Sequence, residues 1–189
     1  MTRVHRIVML GAPGAGKGTQ AVRLAEHFQI PTISTGELFR QHIRTGTELG
    51  ELAATYIDGG NLVPDDITIR MVKERLSRTD VEGGFILDGF PRTVVQAEAL
   101  GEMLGEEDIT AVVELWVDAE EVIPRLLNRA ATEARSDDTA EVIRQRIKVY
   151  REQTRPLHEY YIKEGTLREI NAVGEIEQIT ERILAELER

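Results

Sequence analysis

The chain contains no cysteine, which excludes a disulfide framework and any thiolate metal centre, so nothing in it depends on redox state. Lysine is scarce too, with 4 residues against 19 arginines. An Arg-rich set of cations suits bidentate phosphate binding, although genome composition alone gives the same bias. Basic charge is not in excess: the formal net charge is −10, which argues against general affinity for nucleic acid or anionic membranes. Any anion site must therefore be a local concentration of arginine. Long apolar runs are also missing. The N-terminal run, Ile7-Val8-Met9-Leu10, is too short for a signal-peptide core or a membrane span, so a cytoplasmic protein is expected. The four histidines, His5, His27, His42 and His158, lie far apart without ligand spacing, and no chemistry is assigned to them.

What is present is organised around Gly11-Ala12-Pro13-Gly14-Ala15-Gly16-Lys17-Gly18-Thr19, between an apolar run and a helix-patterned segment. Small residues in a strand-to-helix turn let backbone N–H groups face an anion, and the following helix adds the positive end of its dipole. Lys17 reaches the outer phosphates as a mobile cation. In the general pattern a Ser or Thr follows the lysine and holds magnesium; here Gly18 stands there and Thr19 comes next. The metal is then expected to be held less directly, through water and a carboxylate elsewhere.

A length of 189 residues suits one α/β core plus a small insertion. Ala21, Leu24, Ala25 and Phe28 recur at helical spacing, and Ile30-Pro31 ends that helix. Thr32-Ile33-Ser34 reads as a short strand, and Ser34-x-x-Glu37 as a capping box. Two helices follow to about residue 58, broken near Gly46-Thr47 and stopped by Gly59-Gly60, a plausible mobile insertion. Pro64-Asp65-Asp66 opens another helix, and Phe85-Ile86-Leu87 reads as a buried strand ending at Asp88. Ligands of open parallel sheets bind beyond the carboxyl ends of strands, so Asp88 is either a magnesium-holding acid beside the phosphate loop or a turn residue before Gly89. A helix over Thr93 to about Leu104, a buried strand over Ala111–Val117 and a helix over 119–131 come next. A polar stretch at 132–138 precedes a long helix whose apolar face includes Val142, Ile143, Ile147, Tyr150, Leu157 and Tyr161, with a kink at Pro156. Leu167–Ile170 reads as a last strand, and Ile176, Ile179, Ile183, Leu184 and Leu187 mark a terminal amphipathic helix. Alternation of strands and helices predicts an α/β fold of the P-loop NTPase type, with about five parallel strands covered by helices on both faces.

Five spaced segments then carry a resemblance. Besides the loop, the chain has Ser34-Thr35-Gly36-Glu37-Leu38-Phe39-Arg40, Asn61-Leu62-Val63-Pro64-Asp65, Asp88-Gly89-Phe90-Pro91-Arg92-Thr93 with Gln96, and Arg135-Ser136-Asp137-Asp138. In this order they closely resemble adenylate kinase over nearly the whole chain. The resemblance implies reversible transfer of the terminal phosphoryl of ATP to AMP, giving two ADP, with Mg2+ required and a place in nucleotide salvage and energy homeostasis. By motif, Gly14, Ala15, Gly16, Lys17, Gly18 and Thr19 would bind the ATP phosphates. AMP would meet Thr35, Arg40, the backbone of Asn61, Leu62 and Val63, and Gly89, Phe90, Pro91 and Arg92, with Gln96 reading the adenine edge. Arg125 and Arg129 would face ATP, Arg135 and Arg146 would close over the transferring phosphates, and Gly174 would offer backbone to the ATP adenine. The catalytic set implied is Lys17, Arg92, Arg129, Arg135 and Arg146.

The same resemblance divides the chain into a core (1–33, 64–128 and 139–189), a nucleoside-monophosphate-binding insertion (34–63) and a short lid (129–138). Because only 130–134 separate Arg129 from Arg135, the lid looks like the short form, and no structural zinc is expected. Asn61 replaces a lysine common in the family, where the contact is mainly backbone. A monomer is the family default. Spacing alone leaves other readings open. Thr93-x-x-Gln96 is also a capping box, and Arg125, Arg129 and Arg146 have Glu121 or Glu141 as default helix partners. A sister enzyme using UMP or CMP, discriminated at Thr35 and Gln96, and an ATP-binding regulatory module without an acceptor site are the alternatives in function.

Overall fold

The structure, a computed structural model, describes residues 4–105, 108–118, 121–122, 124–126 and 139–188. Five strands form one sheet: β1 (His5–Gly11), β2 (Thr32–Ser34), β3 (Gly84–Asp88), β4 (Ala111–Trp116) and β5 (Leu167–Asn171). All neighbours pair in parallel, in the order β2-β3-β1-β4-β5. The helices are α1 (Lys17–Phe28), α2 (Thr35–Arg44), α3 (Glu48–Ile57), α4 (Asp65–Leu76), α5 (Val94–Leu104), α6 (Ala140–Val149), α7 (Pro156–Lys163) and α8 (Ile176–Leu187). Residues 121–122 and 124–126 are also helical, inside the helix expected over 119–131.

β1 is covered on both faces, which is why its sequence is a continuous apolar run rather than an alternating one. Ile7 and Met9 face a core shared with Ala21 and Leu24 of α1 and Ile179, Ile183 and Leu187 of α8. Val8 and Leu10 face the other, with Val72 of α4, Leu100 of α5 and Leu157 and Tyr161 of α7. Each fully buried aliphatic or aromatic side chain contributes about 1.5–3 kcal/mol of burial, so these two layers hold the sheet's position. α2 and α3 enclose a smaller cluster of Phe39, Ala53, Val63 and Met71, joined to the core through α4. No helix among the described residues is long and apolar enough to cross a membrane.

Several expectations need correction. The Ser34 cap forms, its Oγ accepting from Glu37 N at 3.4 Å, but the reciprocal half of the box does not. The Glu37 carboxylate is instead claimed by Arg44 at 2.7 Å and Arg40 at 3.2 Å. The strand expected over Ala111–Val117 ends at Trp116, which is 53% exposed at the open end of the sheet. The long helix kinked at Pro156 is two helices separated by a π turn at Tyr150–Thr154, closed by Arg155 N donating to Tyr150 O. Pro156 cannot donate to a preceding carbonyl, so the ladder widens before it and restarts with the proline in the first turn. Ile176 does not join the buried face of α8 and is 45% exposed.

The Tyr161 hydroxyl is buried beneath the sheet and has no hydrogen-bond partner among the described residues. A buried hydroxyl left unpaired costs about 1–3 kcal/mol, so Tyr161→Phe is expected to leave stability unchanged or raise it by about 1 kcal/mol in urea unfolding. Burial also pushes the Tyr161 phenol well up from 10.0, and that of Tyr150 up to about 12. The unfolded chain therefore ionises first, so stability is full below pH 10 and falls above it. Each such tyrosine contributes a slope of about 1.4 kcal/mol per pH unit. Tyr161→Phe should flatten that alkaline decline, and a loss above about 1 kcal/mol at neutral pH would show the hydroxyl to be bonded.

Candidate active site

The strand order places β1 between β3 and β4, which the chain reaches by crossovers running in opposite directions. The crevice beyond the carboxyl end of β1 is therefore the switch point where α/β sheets bind ligands. The Gly-rich loop occupies it. Gly14 holds φ +81°, and a Cβ there would lie 2.9 Å from Leu126 Cγ, so only glycine lets the loop turn at this point. Gly16, at φ 96°, opens α1. Lys17 Nζ donates to Gly11 O at 2.8 Å and Ala12 O at 2.9 Å, which anchors the ammonium over the loop at the cleft.

Register brings Asp88 into the same crevice, since it pairs with Met9 of β1 and Ser34 of β2. A Cβ built on Gly18 would lie 3.4 Å from Asp88 Oδ2. The carboxylate thus faces the position where the general pattern has a metal-holding hydroxyl, and both residues line the same cleft. That donor set fits magnesium, a hard cation bound by one carboxylate plus waters and phosphates.

Across the crevice, the turn after β3 is a network centred on one carbonyl. Gly89 O accepts from Thr35 Oγ1 at 2.8 Å and from Arg92 Nε at 2.9 Å. Gly89 holds φ +82°, and a Cβ would sit 2.9 Å from Thr35 Oγ1 and 3.0 Å from Arg92 Nη2, so glycine is required for both bonds. The Phe90-Pro91 peptide is cis. Phe90 is fully buried in the core, so this pair shapes the turn from below and its side chains do not line the cleft. Thr93 Oγ1 caps α5 by accepting from Gln96 N, yet Gln96 Oε1 accepts from Arg92 N at 2.8 Å, so the box closes one residue early. Gln96 Nε2 donates to Asp65 Oδ1 at 2.7 Å, and Thr93 Oγ1 donates to the same oxygen at 3.1 Å. In the sequence Asp65 reads as a helix opener and as the end of the Asn61–Asp65 segment, without a role at the site; the contact spans 31 positions, which no local pattern could disclose.

These pieces line one cleft of about 750 Å³, within the range of small-molecule sites. Lys17, Arg40, Arg92, Arg125 and Arg146 all reach it, the local cation concentration that a chain of net charge −10 needs to hold polyanions. Arg40 also pairs with Glu37, whose carboxyl is held below its usual range mainly by the Arg44 hydrogen bond. Arg125 takes its default helix partner, Glu121, at 2.8 Å, and donates besides to Ala172 O. Asn61, Leu62 and Val63 line the insertion side, with Asn61 Oδ1 accepting from Gln145 Nε2 of α6 at 2.9 Å. Gly174 does not line the cleft; Ile176, two residues on, does. Arg129, Arg135 and the expected lid at 129–138 lie outside the described residues.

The family model for adenylate kinase matches residues 9–166. Relatives include the adenylate kinase of Thermobifida fusca, 53% identical over 96% of this chain and 97% of its own length. That of Nocardioides is 49% identical over 97% of both chains, and that of Mycobacteroides abscessus 51% over 94% and 96%. A Gly-rich loop at the switch point, an arginine-lined cleft opposite it and these matches lead to one assignment: the chain belongs to the adenylate kinase family, phosphotransferases that move a phosphoryl group between ATP and AMP.

Proposed function

We propose that this chain transfers the phosphoryl group in line, with ATP held on the Gly14–Thr19 loop side and AMP on the Thr35, Arg40, Arg92 and Gln96 side of the one cleft. The observation that carries this division is the convergence of Lys17, Arg40, Arg92, Arg125 and Arg146 on that cleft from opposite walls. Phosphoryl transfer asks little covalent chemistry of the protein; positioning two anions and neutralising spreading charge is most of the work. No general base is therefore assigned. Lys17 and the loop N–H groups meet the donor phosphates, Arg40 and Arg92 hold the acceptor phosphate, and Arg146 with Arg129 and Arg135 stabilises the transferring group. Asp88 would hold magnesium through water, and the ion would neutralise donor-phosphate charge. Gln96, tied at Arg92 N and Asp65, presents a fixed carboxamide edge to the acceptor base.

Closure over both substrates excludes water, and the moving parts in this reading are the insertion at 34–63, which has its own apolar cluster, and the loop at 129–138. The chain acts as a cytoplasmic monomer. The direct test is steady-state transfer from Mg-ATP to AMP, dAMP, CMP, UMP and GMP in parallel with a water-only control. AMP should be strongly preferred; a pyrimidine preference would overturn the roles of Thr35 and Gln96, and ATP binding without transfer would overturn the acceptor site.

Asp65 offers a narrower test. Asp65→Ala removes a charge-assisted bond to Gln96, and the KM for AMP is expected to rise roughly tenfold, the value of about 1.4 kcal/mol, while that for ATP holds. Asp65→Asn, which keeps an acceptor, should recover most of it. A fall in Tm with the AMP KM unmoved would reduce Asp65 to a structural role.

A further inference from the structure

The fold gathers a second polar constellation outside the cleft. Glu114 of β4 and Glu169 of β5 are register partners, so their side chains stand side by side on the same face of the sheet. α7 lies across that face and adds His158, whose Nδ1 shares a hydrogen bond with Glu114 Oε2 at 2.5 Å. One ligand atom from each of Glu114, His158 and Glu169 lies within 4.8 Å of the other two. Two carboxylates directly opposite on neighbouring strands repel, and such pairs destabilise a sheet unless something neutralises them. No lysine or arginine among the described residues is ion-paired with either one. Arg168, next along β5, is instead turned to Gly165 O and Leu167 O. His158 hydrogen-bonds Glu114 and also faces Glu169, which stands exposed on the edge strand.

We propose that Glu114, His158 and Glu169 form a binding site for a divalent transition cation of the Zn2+ class, distinct from the magnesium position beside Asp88. The donor chemistry selects the ion. One imidazole nitrogen with two carboxylate oxygens is the ligand set of zinc, cobalt or nickel, whereas magnesium and calcium favour oxygen alone. Three donors leave a position for water. The donors also come from three elements, β4, β5 and α7, so a bound ion ties the edge strand and its covering helix to the sheet. Binding to the folded chain alone raises its stability. His158 carried no ligand spacing because its partners are 44 residues before it and 11 after. Only the strand register makes the group.

The experiment titrates the full chain, free of nucleotide and magnesium, with Zn2+ by calorimetry and follows Tm, using Co2+ as a spectroscopic probe. One equivalent should bind, Tm should rise, and Co2+ should give the d–d absorption of a low-coordinate site with a nitrogen ligand. His158→Ala and Glu169→Gln should each weaken binding by at least roughly tenfold, while Asp88→Asn keeps it. Glu169 is exposed, so its variant tests the site even where removing His158 from the half-buried Glu114 lowers stability. ADP formation from ATP and AMP checks that both variants are folded. Zn2+ affinity in Glu169→Gln or His158→Ala equal to that of the unmodified chain, or no Zn2+-dependent rise in Tm of the unmodified chain, would overturn the proposal.

Discussion

Arg92→Ala is expected to lower kcat/KM for AMP by on the order of 10³ or more while leaving the chain folded, a loss of about 4 kcal/mol in the transition state. The size follows from how the residue is held. Arg92 Nε donates to Gly89 O and its backbone N–H donates to Gln96 Oε1, so the guanidinium is fixed at both base and root against the cleft wall. A preorganised cation facing the place where charge spreads needs no reorganisation during the reaction, which is why such groups are worth far more than a surface arginine. The hydrogen bond from Arg92 Nε goes to a carbonyl that Thr35 still serves, and such a bond is worth about 0.5–1.5 kcal/mol to folding. Arg92→Lys separates charge from geometry. It keeps the cation but loses the planar fork, and should recover only part of the rate. Single-turnover rates beside Tm check this, and near-normal turnover of Arg92→Ala would remove Arg92 from the site.

How much of this was legible beforehand depends on whether the signal is local. The phosphate loop was, because its spacing, its preceding apolar run and its following helix are contiguous and each has a physical meaning. So was the end of β3 at Asp88, which strand polarity places beside the loop. The caps were legible as positions but not as partners. Ser34 and Thr93 do cap their helices, while Glu37 and Gln96 turn elsewhere because arginines and a backbone N–H compete better for their oxygens. Asp65 and Ile176 were missed for a different reason, since one acts through a contact across 31 positions and the other is an apolar residue whose periodicity pointed inward while its side chain faces the cleft. Glu114, His158 and Glu169 show the limit most clearly. A carboxylate inside a buried-strand pattern and a lone histidine on a helix have no meaning until register and packing align them.

Lys17→Met should be the complementary loss on the donor side, with kcat falling by on the order of 10²–10³. Methionine approximates the length and apolar stem of lysine, so the variant removes charge and donors without opening a void. Two of the three ammonium N–H groups close the loop on Gly11 O and Ala12 O, which leaves a question of whether the residue supports the loop or the reaction. The two roles have different readouts. Losing the loop bonds alone would lower Tm and weaken ATP binding with chemistry intact once saturated. Losing a cation that acts on the transferring phosphoryl lowers kcat at saturation and leaves Tm within a few degrees. The second pattern is the expected one, because two neutral carbonyl contacts on a partly exposed loop are together worth no more than a few kcal/mol, whereas a preorganised cation facing charge that develops between two polyanions is worth more. The pair of variants also tests the division of the cleft: Arg92→Ala should move the KM for AMP more than that for ATP, and Lys17→Met the reverse. If both moved the same substrate, donor and acceptor walls would have to be reassigned even though the fold and the reaction stood.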